Sequence, residues 1–336
     1  TTAAAPESVG GAPGGQAAAL PEGERAVLDA GASAGEIPAL VEDDGRTPSI
    51  CSGFSSGASE PGALTDLVGD EGVLIAPDDP RLFYMGRVDC AASRGPRFAY
   101  PGVMLRVRFE GTALDAVLAD SGTGSAQTTN YYDVRVDDGT PTLLEVRGGQ
   151  GRYTLASGLG EGEHTLELFK RVESGPAANE GAGTGQLLAL RLPPGGVLLQ
   201  ASGKLRRLEF IGDSITCGYG NEVSTQTPES APYTSLGSNA QQAYGAVAAR
   251  MLDAEYMAVA YSGRGVSRNY GGNPGGTLPQ IYDRVLPDEP ASPVWDVGRY
   301  RPHAVVVNLG TNDFSPGGVD RAAFRQSYVD FLARLR

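Results

Sequence analysis

The sequence predicts two domains of different class: an antiparallel β-sandwich of jelly-roll type over residues 81–203, then an open, parallel-stranded α/β domain over 204–336. Three observations predict this. Between about 82 and 202, apolar residues recur at every second position between Gly-rich turns, the period of half-buried strands. After Lys204, short apolar runs alternate with helix-length amphipathic segments, as in strand–helix–strand units. Ahead of both, residues 1–80 are rich in Ala, Gly, Pro, Ser and Glu, with Phe54 the first aromatic residue. Such a composition buries too little apolar surface to offset the entropy of ordering.

Residues 1–80 therefore read as a disordered tether with little regular structure before Leu82, although the apolar clusters at 26–28 and 73–75 can pack locally. In the sandwich, Val103, Leu105, Val107 and Phe109 alternate with Met104, Arg106, Arg108 and Glu110, which predicts a strand with one buried face. Tyr132, Val134 and Val136 alternate in the same way, and Asp138 with Gly139 forms a hairpin-turn signal. Leu166 and Leu168 belong to a further strand, and 174–185 is a polar, Gly-rich loop.

In the second domain, 208–211 is a short strand running into Gly212, Asp213 and Ser214. Ser238 or Asn239 caps a helix with an apolar stripe of Ala243, Tyr244, Val247, Ala248, Met251 and Leu252. Residues 256–260 form the next strand. The continuous apolar run 304–307 predicts a parallel strand covered on both faces. Asp320 starts a helix on which Phe324, Tyr328, Phe331, Leu332 and Leu335 share a face. That helix reaches Arg336 without a Gly stop, so the α/β domain is expected to be C-terminally incomplete.

The net charge of −13 argues against nucleic acid and anionic membrane as partners, because both need clustered Lys and Arg. No apolar run approaches the roughly 18 to 20 residues of a membrane span. Of three cysteines, Cys51 and Cys90 are the more natural pair in an exported protein, leaving Cys217; three reduced thiols are the alternative. No Cys or His spacing suggests a metal site, so neither metal nor organic cofactor is expected.

Reactive groups in an open parallel sheet gather at the carboxyl ends of its strands. Three segments fall there: Gly212 to Ser214, Ser262 to Gly265, and Gly310 to Asp313. They supply one serine hydroxyl and hydrogen-bond donors from backbone N–H groups and an Asn amide, which is what acyl transfer requires. Each motif alone is weak. The three in order, each after its own strand, are specific.

The run FIGDSITCGYG at 210–220 resembles the first block of the SGNH (GDSL-like) hydrolases, and NLGTNDF at 308–314 resembles their third. With a β-rich domain in front, and with YMGR at 84–87, HTLELFKR at 164–171 and YSGRG at 261–265, the chain looks like carbohydrate esterase family 2, whose members deacetylate sugars. The likeness spans about 82–336. It implies Ser214 as nucleophile, with an oxyanion hole made by the N–H groups of Ser214 and Gly265 (Gly263 being the alternative) and the side chain of Asn312. Asp213 and Asp313 are expected to brace their turns. Tyr261, Arg264 and Trp295 are candidates to line a substrate pocket. The implied substrate is an acetylated polysaccharide or oligosaccharide, and the protein is expected to be a monomer that is extracellular or at the cell surface or in the periplasm; a glycan-binding protein with an inert esterase half and an SGNH lipase or acyltransferase are the alternatives.

Serine needs a base to lose its proton, and this superfamily uses a histidine near the C-terminus. His164 lies on a sandwich strand and His303 precedes the 304–307 strand, at the edge opposite Gly310. A rise of about 3.3 Å per residue puts His303 roughly 20 Å from Ser214. Neither fits, so the expectation is a nucleophile without its base, in a chain lacking roughly 40 to 60 residues of an ordinary domain.

Overall fold

Alternation in the sequence becomes two facing antiparallel sheets. The computed structural model describes residues 45–54, 71–175, 183–224 and 232–336; most of the expected tether lies outside them. In chain order the strands of the first part are β1 (Val73–Ile75), β2 (Phe83–Met85), β3 (Val88–Asp89), β4 (Arg97–Phe98), β5 (Met104–Glu110) and β6 (Leu114–Asp120). They continue with β7 (Asn130–Val136), β8 (Thr142–Val146), β9 (Gly149–Ala156), β10 (Glu163–Lys170), β11 (Gly185–Leu192) and β12 (Val197–Leu199). One sheet runs β3-β4-β11-β6-β9 with β1 also on β11, and the other runs β12-β5-β10-β7-β8 with β2 on β5. Val107 stands opposite Leu166 and Leu105 opposite Leu168, and all four are buried.

Two expectations shift here. Regular structure begins before Leu82, because Val73–Ile75 pairs with Leu190 to Leu192 and buries Ile75. Ile50 is also buried, and Cys51 is bonded to Cys90. The outer face of β5 is not a solvent face either. Met104 and Arg106 are buried, since Arg106 Nη1 donates to Glu255 Oε1 of the second domain at 2.8 Å.

That second domain is a three-stranded parallel sheet, ordered β14 (Ala254–Ala260), β13 (Arg206–Gly212), β15 (Ala304–Asn308). Its helices are α1 (Ser214–Cys217), α2 (Tyr244–Met251), α3 (Leu278–Ile281) and α4 (Arg321–Leu335). Asn239 caps the short 3-10 turn Ala240–Gln242 that leads into α2. The predicted stripe of α2 faces outward, with Val247 and Met251 exposed, whereas Gly245, Ala246 and Ala249 are its buried residues. The reason is steric: a Cβ at Gly245 would lie 2.8 Å from the Phe210 ring, so only the small face of the helix can approach the sheet. The run 304–307 is likewise not covered on both faces. β15 is the edge strand, and Val305 and Val306 are exposed. α4 starts as expected, its first N–H groups capped by Asp320, but Phe331 is its one buried residue.

The domains share one continuous apolar cluster that runs from Phe83 and Leu105 to Phe210 and Met257, and residues 44–336 form one compact unit. Arg87 pins the seam. Its guanidinium is fully buried, lies 4.7 Å from the Tyr282 ring and 4.5 Å from the Trp295 ring, and pairs with Glu209 at 3.3 Å. Arg87→Ala leaves the buried Glu209 carboxylate without its cation, with the Tyr282 hydroxyl still donating to it at 3.1 Å, and is expected to cost about 3 kcal/mol, lowering the thermal midpoint by roughly 10 °C. A change below about 1 kcal/mol in a denaturant titration refutes this role.

Candidate active site

All three loops predicted to carry chemistry leave the same edge of the parallel sheet. Gly212 pairs with Ala260 on one side and Asn308 on the other, so Ser214, the 261–265 turn and the 310–313 turn start at one level. Gly212 is required there. Thr216 folds back over it, and a Cβ would lie 1.9 Å from Thr216 Oγ1.

Ser214 opens α1 and is partly exposed. Asp213 caps the helix by accepting from the Ile215 N–H at 3.1 Å. Asn312 then joins the three turns. Its Nδ2 donates to the Arg264 carbonyl at 2.8 Å and to Asp213 Oδ2 at 3.2 Å. Burial pushes the Asp213 carboxyl above its ordinary range, against the pull of the Ile215 N–H.

Asp313 organises the second turn. Its fully buried carboxylate accepts the N–H groups of Val266 (2.9 Å), Ser267 (2.7 Å) and Arg268 (3.1 Å), and the Ser267 hydroxyl (2.7 Å). Both aspartates therefore brace turns, as their positions suggested. Gly265 is packed beneath this carboxylate, where a Cβ would lie 2.0 Å from the Arg268 carbonyl oxygen. Its N–H is directed at Asn269 Oδ1, 3.2 Å away. Gly263, by contrast, is partly exposed at φ +76°, and its N–H meets no protein acceptor among the described residues.

The pocket candidates separate. Tyr261 is buried, its hydroxyl bonded to the Gly175 carbonyl and Asp288, so it supports the turn from below and does not line it. Arg264 stays partly exposed with its guanidinium 4.8 Å from the Tyr261 ring. Trp295 is a correction. Its ring is buried against Arg87, and that stacked face is closed to a sugar. Neither histidine approaches Ser214. His164 Nδ1 meets Asp137 at 2.9 Å on the sandwich, and His303 Nδ1 accepts from the Arg207 N–H at 3.0 Å at the far end of β13.

One site residue escaped sequence reasoning. Glu173, from the sandwich side, contacts both the 261–265 turn and α1. A lone acid after an alternating strand carries no signal that it enters the next domain. No described group of three or more His, Cys, Asp or Glu is arranged to hold a metal ion.

The description Carbohydrate esterase 2 N-terminal matches residues 84–215, and GDSL-like Lipase/Acylhydrolase family matches 210–336. The chain is 32% identical over 265 residues to an acetylxylan esterase / glucomannan deacetylase of Cellvibrio japonicus, covering 78% of this chain and 69% of that protein. The chain belongs to carbohydrate esterase family 2. This family 2 chain is also 36% identical over 260 residues to the cellulase/esterase CelE of Acetivibrio thermocellus, covering 77% of the chain but only 30% of that longer protein. Among solved structures, a family two carbohydrate esterase from Cellvibrio japonicus matches with TM-score 0.70 and 30% identity, over 78% of this chain and 74% of that one. A family two carbohydrate esterase from Clostridium thermocellum in complex with cellohexaose matches with TM-score 0.67 and 36% identity, over 76% and 73%.

Proposed function

We infer that this family 2 chain removes O-acetyl groups from a polysaccharide or oligosaccharide through an acyl-enzyme on Ser214. The observation that carries this reading is the Asn312 amide, which ties the Ser214 turn to the 261–265 turn at one sheet edge. Ser214 Oγ attacks the acetyl carbonyl, and its proton passes through a base to the departing sugar hydroxyl. Water then attacks the acyl-enzyme and releases acetate. The developing oxyanion takes donors from the Ser214 N–H, from Asn312 Nδ2 and from one N–H of the second turn. Gly263 is the better supported source of that last donor, because the Gly265 N–H is already held by Asn269. For Asn312, the 3.2 Å bond to Asp213 is the longer of its two and is the one to be exchanged for the oxyanion.

The relatives named for acetylxylan, glucomannan and cellulase/esterase activity support an acetylated plant-type glycan, and the Cys51–Cys90 bond fits an oxidising, extracellular setting. Attack also needs a base that neither histidine of this sequence provides. A second reading is a glycan-binding protein whose esterase half is inert, supported by the likeness to a family two structure in complex with cellohexaose.

Acetate release from acetylated xylan and glucomannan by the intact natural protein, beside hydrolysis of p-nitrophenyl esters of increasing acyl length, tests both. Acetate release with a sharp preference for acetyl over longer acyl groups is the expected result. Glycan binding with no acetate released establishes the second reading, and a preference for long acyl chains points to a lipase.

A further inference from the structure

We propose that Glu173, a side chain supplied by the N-terminal domain, is a positioning residue that holds the nucleophile helix and the 261–265 turn in register for acyl transfer. The proposal rests on the reading of Ser214 as nucleophile. One carboxyl oxygen, Oε2, accepts the Ser262 N–H at 2.6 Å and the Cys217 thiol at 3.3 Å, and the other meets the Ser262 hydroxyl. Cys217 is the last residue of the helix that Ser214 begins, and its N–H donates to the Asp213 carbonyl at 3.0 Å. Ser262 directly precedes Gly263. A single carboxyl group thus spans the two elements that must agree in position for attack and oxyanion binding to share one carbonyl.

The segment that carries Glu173 is itself fixed, by two backbone bonds within the sandwich and one, from Ala240, across the seam. Gly102 N–H donates to the Lys170 carbonyl (2.8 Å), Ala240 N–H to the Arg171 carbonyl (3.0 Å), and Ser174 N–H to the Ala99 carbonyl (3.2 Å). Glu173 is 1% exposed. Burial pushes its carboxyl up to about 7, while the Ser262 and Cys217 donors and the neighbouring Lys170 pull it down. Lys170 is buried as well, and loss of solvent lowers its ammonium to about 8. Burying an acid and a lysine at a domain seam costs stability that apolar residues of similar volume would not. Costs of that kind collect where geometry serves function. Glu173 touches no reacting atom, so its effect passes through Ser262 and Cys217.

Two substitutions fill the same space. Glu173→Gln keeps an acceptor for the Ser262 N–H and offers an amide to the Ser262 hydroxyl, whereas Glu173→Met offers neither. In the intact natural protein with p-nitrophenyl acetate, the Met variant is expected to lose about ten- to a hundredfold in kcat with KM within twofold. The Gln variant is expected to stay within threefold of wild type. Wild-type kcat in the Met variant, equal losses in both variants, or a loss that merely follows the fraction unfolded in a urea titration overturns the proposal. If the Met variant does not fold, Ser262→Ala and Cys217→Ala each remove one partner of the carboxyl and are expected to lower kcat threefold or more at unchanged KM; wild-type kcat in both overturns it. More than about a tenth of wild-type turnover surviving in a folded Ser214→Ala variant overturns the nucleophile reading and this proposal together, whereas the outcomes above overturn only the role of Glu173.

Discussion

Ser214→Ala is expected to lower ester turnover by a factor on the order of 10⁴ or more, because it removes the hydroxyl proposed to form the acyl-enzyme. The donors around it survive the substitution. Asn312 keeps its bonds to Arg264 and Asp213, so a residual rate from transition-state binding alone remains. Stability should hardly change. Ser214 is partly exposed at the first position of a short helix, and the helix cap comes from Asp213. Hydrolysis of p-nitrophenyl acetate and thermal unfolding of the intact natural protein measure the two effects. A variant that folds normally and keeps more than about a tenth of wild-type turnover places the nucleophile elsewhere.

Asp313→Ala is expected to have the largest combined effect on stability and turnover. Its carboxylate is the acceptor for three successive backbone N–H groups and the Ser267 hydroxyl. The Val266 N–H is buried, and a buried donor left without a partner costs about 1 to 3 kcal/mol; with smaller losses from the three part-buried donors the sum is about 2 to 4 kcal/mol. The turn that packs Gly265 beneath the carboxylate would relax with it. Turnover measured below the unfolding midpoint should then fall on the order of a hundredfold. Asp313→Asn preserves volume but turns one oxygen into a donor facing donors, and its loss should be intermediate. A denaturant titration showing less than about 1 kcal/mol for the Ala variant would rule out this bracing role.

Much of this site was legible in the sequence because its parts are local. A strand followed at once by Gly212, Asp213 and Ser214 leaves the serine at a strand end whatever surrounds it, and the 310–313 segment follows β15 in the same way. The two aspartates act over one to two residues or onto a neighbouring loop, within reach of motif reasoning. Faces were harder. Period two in β5 was correct, but the outward side of that strand is an interface and not a solvent face, because Arg106 finds Glu255 149 residues away. In α2 the apolar stripe misled, because hydrophobicity ranks Val247 and Met251 above Gly245 while the approach of the Phe210 ring admits only the smaller residue.

The strand-end position of Ser214, its Asp213 cap and the order of strand-end motifs were determined by the sequence by itself, since each depends on residues adjacent along the chain. The tertiary structure alone decided which glycine N–H is left unengaged, why Trp295 is closed to a sugar, and that Glu173 crosses from one domain to brace the site of the other. Those outcomes depend on hydrogen-bond partners and ring contacts 4 to 208 residues apart, and periodicity along a chain carries no information about which distant group arrives first.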